Sequence, residues 1–217
     1  MRQLFLNHDR GSELILFFSG FGQDPRPFAP LTGETAVYMV YDYADPAPLD
    51  PEALEGFERI SLVAWSMGVM TAPWSAAPLK DRIVRAAAVN GTPWGIALTE
   101  DEPGIPRALW QETAAAMDAD GLERFVSLMT LGGRYYREHR PRRTPPECRR
   151  ELEALLALRE RHPRLTPFEY TEIISGRRDR IFPPALTRAA FAGRGVREYP
   201  GAHFDERLFA ALLGGRA

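Results

Sequence analysis

The chain has 217 residues, 45% of them hydrophobic and 26% charged, which suits one globular domain spanning 1–217 with a sizeable core. A formal net charge of -2 gives no electrostatic support to general nucleic-acid binding. The lone cysteine, Cys148, excludes an internal disulfide, residues 1–20 lack the order of a secretory signal, and the apolar run 14–18 is too short to cross a bilayer, so the expectation is a cytoplasmic monomer with no membrane attachment.

Residues 4–7 read as a short edge strand and 13–18 as a buried strand closed by Ser19-Gly20. The loop Ser19-Gly20-Phe21-Gly22-Gln23-Asp24 follows, and glycines there let backbone amides point into a pocket. Residues 36–41 form a second apolar strand, with Asp42 beyond it as a turn cap. Pro46, Pro48 and Pro51 break the chain before a short helix over 52–57. From Asp24 to Glu58 eight acids stand against one base, Arg26, the pattern of a solvated face.

Residues 60–65 are a third buried strand, delivering Ser66. A helix over 67–77 follows, kinked or cut short at Pro73. Residues 85–90 form a fourth strand, closed by Gly91-Thr92-Pro93. Between about 93 and 167 the strand–helix rhythm stops. Helical patterns cover 106–117, 122–131 and 146–161 and no strand is evident, as in a helical lid inserted between sheet strands. The rhythm then returns with a strand over 168–175, a helix over 185–192, a short strand over 196–199, the loop Pro200-Gly201-Ala202-His203-Phe204 and a last helix capped by Asp205. Alternating strands and helices predict an α/β fold, a mostly parallel central sheet with helices on both faces.

The chemistry centres on Ala64-Trp65-Ser66-Met67-Gly68. Small residues two before and two after a serine permit the sharp strand-to-helix turn that lifts a nucleophilic hydroxyl above a sheet. Ser66, Asp179 and His203 each follow a predicted strand, in the Ser, Asp, His order of α/β-hydrolases. A serine needs a base to take its proton, and an imidazole needs a carboxylate to fix its tautomer. The amides of Phe21 and Met67 are the candidate oxyanion donors. Among four histidines only His203 sits in a short loop after a final strand. Rival acids are Asp205, an expected N-cap, and Glu147 or Glu151 from the insertion. No His, Cys and carboxylate cluster has metal-ligand spacing, and no phosphate loop ends in Gly-Lys-Ser/Thr, so neither a metal nor a cofactor is expected.

Between Arg134 and Arg164 ten arginines face five glutamates. The run is densest at Arg134, Arg137, Arg140, Arg142 and Arg143. It reads either as ordinary surface or as a docking patch for an acidic partner. Trp65 and Trp94 are candidates either for an acyl channel or for the core.

Several blocks carry a resemblance, in matching order: Leu14-Ile15-Leu16-Phe17-Phe18-Ser19-Gly20-Phe21-Gly22, Tyr41-Asp42-Tyr43, Leu62-Val63-Ala64-Trp65-Ser66-Met67-Gly68-Val69, Ala88-Val89-Asn90-Gly91-Thr92 and Gly104-Ile105-Pro106. Together they resemble the BioG-type pimeloyl-[acyl-carrier-protein] methyl ester esterases. The resemblance implies an α/β-hydrolase fold with a compact lid. It also implies cleavage of the methyl ester of pimeloyl-carrier protein in biotin biosynthesis, an acyl carrier protein as partner, and no cofactor. Ser66 matches the family nucleophile and His203 its base. Asp179 matches the usual position of the acid, although the resemblance also allows an acid from the lid side, where this chain has Pro146-Glu147. Two rival expectations are a different ester or thioester hydrolase on the same scaffold, and a non-catalytic binding protein with a hydrolase fold.

Overall fold

The computed structural model describes residues 1–8, 11–45 and 47–215; Pro46, one of the three expected chain-breaking prolines, lies outside them. In chain order the first strands are β1 (Arg2–Asn7), β2 (Glu13–Phe18), β3 (Ala36–Tyr41), β4 (Arg59–Trp65) and β5 (Ile83–Val89), with helix α1 (Gly68–Ala76) between the last two. Two-residue strands β6 (Ile96–Ala97) and β7 (Ile105–Pro106) pair with each other, and the helices α2 (Arg107–Ala115), α3 (Ala119–Thr130), α4 (Arg134–Glu138) and α5 (Pro145–Arg161) follow. The chain closes with β8 (Glu172–Gly176), α6 (Pro184–Ala190), β9 (Arg197–Tyr199) and α7 (Glu206–Leu212).

The main sheet has the order β1-β3-β2-β4-β5-β8-β9, antiparallel only at β1. The parallel strands β2, β3 and β4 are buried on both faces over most of their length, which is why they read as apolar runs. Alternation sends Leu14, Leu16, Leu62 and Ala64 to one core with α1, α2 and α5. Ile15, Phe17, Val63 and Trp65 go to the other, with α3, α4 and α7. From β2 the chain crosses to β3 on one side, then returns to place β4 on the other. The crevice at the carboxyl ends of β2 and β4 is therefore the topological switch point, where ligands bind in open α/β sheets.

Four expectations need correction. Residues 52–57 form successive turns, with Leu54 N–H donating to Pro51 O and Glu55 N–H to Glu52 O, not a helix. β8 begins at Glu172 because the Thr171 hydroxyl, not the 168–171 backbone, bonds both N–H and C=O of Ala86 on β5. The insertion holds the small β6–β7 pair and the five-residue α4, both too short to show a period in the sequence. Helix α1 is not cut short at Pro73 but runs on through it. Proline at that position leaves the carbonyl of Val69 without its intrahelical donor, and the buried hydroxyl of Tyr170 supplies one at 2.7 Å.

Candidate active site

Three strands end the same way. The first residue beyond β3, β4 and β5 (Asp42, Ser66 and Asn90) has positive φ, at 53°, 57° and 47°. A left-handed non-glycine residue costs about 1–2 kcal/mol, and such strain persists only where the surroundings fix it. Around Ser66 they do. A Cβ on Gly68 would stand 2.3 Å from the carbonyl oxygen of Phe18, and one on Gly20 would stand 3.0 Å from the Ser66 Cβ. The turn after β2 and the elbow after β4 are thus pressed together, a closeness that requires glycine at 68 and leaves little room for a side chain at 20.

The hydroxyl-bearing Ser66 is 3% exposed and lines a cavity of about 390 Å³ with Phe21, Met67, Trp110, Phe125 and Phe182. Leu109 and Leu128, 52% and 41% exposed, form part of its rim. Among the described residues no acceptor sits on the N–H of Phe21 or of Met67, which is the N-cap of α1. A larger cavity of about 530 Å³ is lined by Met1, Leu54, Trp74 and Leu158, and none of the candidate catalytic or docking residues lines it.

Asp179 and His203 come together. Nδ1 of His203 lies 2.8 Å from Oδ2 of Asp179, with side chains 1% and 0% exposed. The other carboxylate oxygen accepts from Ile181 N–H at 2.8 Å and Phe182 N–H at 2.9 Å. An acceptor at Nδ1 holds the proton there and leaves Nε2 free to accept. Phe182, which lines the cavity, stacks on the imidazole with ring centroids 6.0 Å apart, and Trp65, next to Ser66 in the chain, packs against the same imidazole at 5.2 Å. The rival acids are engaged elsewhere. Glu147 forms a capping box with Thr144 at the start of α5, and Asp205 caps α7 by accepting from Arg207 and Leu208 N–H.

Glu151 is fully buried. Its carboxylate accepts from Gly22 N–H at 3.1 Å and Tyr43 N–H at 3.2 Å, and faces Arg143 at 3.3 Å. Burial pushes this carboxyl up to about 7, against the pull of Arg143 and of the two amides. Arg143 itself is 8% exposed, also faces Asp42 at 3.1 Å and donates to the carbonyl of Gln23. It is a core cation, which corrects its expected place in a docking patch; Asp42 is its partner as well as a turn residue. Arg134, Arg137 and Arg142 are exposed, and Arg140 pairs with Glu123. Arg124 and Arg180, which the sequence did not single out, line the cavity.

Trp65 is likewise corrected. It is 1% exposed, absent from the cavity wall and packed among Phe28, Phe204 and Phe209, with Nε1 donating to the carbonyl of His203 at 3.0 Å. Strand alternation directs it to the face opposite the cavity. Trp94 is also absent from the wall; Trp110 is the indole that lines it.

Asn90 was quoted above only as part of a resemblance, yet it organises the loop that carries His203. Its Nδ2 lies 2.7 Å from the Tyr199 hydroxyl, 2.8 Å from His203 O and 3.2 Å from Ala202 O, while Oδ1 accepts from Gly176 N–H at 2.7 Å. The available signal was Asn-Gly after a buried strand, since asparagine tolerates the left-handed conformation.

Comparison with known proteins agrees with this architecture. The pimeloyl-ACP methyl esterase BioG family matches residues 1–212. The crystal structure of BioG from Haemophilus influenzae is 29% identical, with a TM-score of 0.83 over 97% of both chains. An enol-lactonase from Burkholderia xenovorans LB400, 22% identical with a TM-score of 0.63, shares the fold over 97% of this chain and 93% of its own. The chain is also 34% identical over 213 residues to a malonyl-[acyl-carrier protein] O-methyltransferase from Bacteroides fragilis. That match takes in 93% of this chain but only 41% of the longer protein, so that protein's name describes a molecule of which this chain spans less than half. An α/β-hydrolase sheet, a strained serine at its switch point and a match running nearly end to end lead to one assignment: the chain belongs to the BioG family of pimeloyl-ACP methyl esterases.

Proposed function

We propose that the chain hydrolyses the methyl ester of pimeloyl-carrier protein with Ser66 as nucleophile, His203 as general base and Asp179 as the acid that orients it. The observation that carries this reading is the buried Asp179–His203 pair stacked against Phe182, a ring in the wall of the cavity that also holds the left-handed serine. Ser66 Oγ attacks the ester carbonyl as its proton passes to Nε2 of His203. The oxyanion is met by the amides of Phe21 and Met67. Methanol leaves with the proton from His203, and water, deprotonated by the same imidazole, releases the free carboxylate. The substrate also carries a thioester to its carrier. An apolar cavity of about 390 Å³ admits the acyl chain and its small ester end, whereas a protein carrier stays outside. Positive charge at the entrance (Arg124, Arg180) and on the insertion (Arg134, Arg137, Arg140, Arg142) suits an acidic carrier. On this reading the α2–α5 layer is the lid.

The test is Ser66→Ala assayed for release of methanol from pimeloyl-carrier methyl ester. Turnover is expected to fall by about 10⁴-fold or more, with carrier binding retained. Wild-type turnover by the alanine variant removes the mechanism. A rival esterase reading would show itself as a strong preference for small p-nitrophenyl esters that is indifferent to charge reversal at Arg124 and Arg180.

A further inference from the structure

We propose that Glu151, on the helical insertion, is a positioning residue for ester hydrolysis: it fixes the Phe21-Gly22 peptide so that the Phe21 amide faces the carbonyl oxygen under attack. The inference rests on the hydrolase reading above. It starts from what holds the loop after β2. The sheet itself reaches only its first residue, where Ser19 N–H donates to Val40 O and Ser19 O accepts from the Tyr43 hydroxyl at 2.8 Å. Beyond Ser19, the anchors come chiefly from the insertion. Glu151 takes Gly22 N–H, the Arg143 guanidinium takes the carbonyl of Gln23 at 3.2 Å, and the Tyr136 hydroxyl donates to Oε1 of Gln23 at 3.0 Å. The Gln23 side chain in turn donates from Nε2 to the carbonyl of Phe21 at 3.1 Å.

Glu151 differs from the other anchors in joining two loops. One carboxylate oxygen binds the amide next to Phe21 and the other binds Tyr43 N–H, just past β3. A fully buried carboxyl is costly unless its oxygens are used, and an apolar residue in α5 would serve packing alone. The geometry fits a bracket that holds the turn after β2 against the turn after β3, leaving the preceding amide to point at the cavity. An oxyanion donor acts through its place in the transition state, so a displaced donor lowers kcat and leaves substrate binding unchanged.

The experiment compares the full-length wild type, Glu151→Leu and Glu151→Gln on pimeloyl-carrier methyl ester, alongside inhibition by an alkyl trifluoromethyl ketone, which forms a tetrahedral adduct on an active serine. For Glu151→Leu we expect kcat to fall by about 100-fold, KM to stay within about twofold, and ketone affinity to fall in parallel with kcat. Glu151→Gln keeps one acceptor, and about a tenfold loss is expected. If the leucine variant does not fold, the shape-matched glutamine variant decides. A folded variant with wild-type kcat overturns the proposal, and so does a kcat loss without a matching loss of ketone affinity. Ser66→Ala is measured in the same series. Turnover surviving there removes the hydrolase reading itself, whereas an inactive Ser66→Ala beside normal Glu151 variants removes only this inference.

Discussion

Replacing Asn90 by alanine tests how the base loop is held. Four groups touch this side chain, but they do not lose equally. The carbonyl of His203 keeps the Trp65 indole at 3.0 Å, and that of Ala202 keeps the Tyr199 hydroxyl at 2.6 Å. Gly176 N–H, which donates to Asn90 Oδ1 at 2.7 Å, is left without a partner in a buried site. An orphaned buried donor costs about 1–3 kcal/mol, and each hydrogen bond lost where the partner keeps another costs about 0.5–1.5 kcal/mol. Alanine at φ 47° adds about 1 kcal/mol over asparagine. The sum is about 3–7 kcal/mol, a large part of the 5–15 kcal/mol typical of a domain. Urea unfolding followed by tryptophan fluorescence measures it. Activity should fall too, by about tenfold in kcat/KM, because the His203 loop loses one of the three side chains, Asn90, Trp65 and Tyr199, that anchor its backbone. A stability loss below about 1 kcal/mol would refute the argument, since the Gly176 donor alone should exceed that.

Three further outcomes are expected. In Asp179→Asn the Ile181 and Phe182 amides hold the side-chain oxygen, so the new NH₂ faces Nδ1 of His203 and selects the wrong tautomer; kcat should drop by about 10⁴ with little change in KM, read by steady-state kinetics. Tyr170→Phe strips the Val69 carbonyl of the donor that stands in for the missing N–H of Pro73, and denaturant titration should show a loss of about 1–3 kcal/mol. Burial pushes the Cys148 thiol up to about 12 and closes it off from solvent, so almost none of it is thiolate at neutral pH; a disulfide reagent should react slowly at pH 7.5 and at the normal rate once the chain is unfolded in urea.

What could be read in the chain was whatever depends on neighbours in sequence. The elbow at Ser66 is a local steric pattern, and Gly68 shows its need directly against Phe18 O. Asp179 and His203 were legible because each follows a recognisable strand in an order with chemical meaning. Glu151 was weighed only as a rival acid, and its true partners, Gly22 and Tyr43, lie 129 and 108 positions away. No periodicity links such positions. The Arg134–Arg143 run read as uniform surface because a count of charges does not show which guanidinium turns inward toward Asp42 and Glu151. Trp65 stayed open between channel and core because adjacency to Ser66 argues for the first, while strand alternation, which decides for the second, needs the faces of the sheet to be known.

The bond from the Trp65 indole to the backbone of His203 has a mechanical consequence. Trp65 and Ser66 are consecutive, so one ring and one peptide link span from the proposed nucleophile to the backbone of the proposed base. Insertions or drift in the turn around Pro200 can therefore accumulate without stretching that span. Loss of the indole would leave the His203 carbonyl to Asn90 alone.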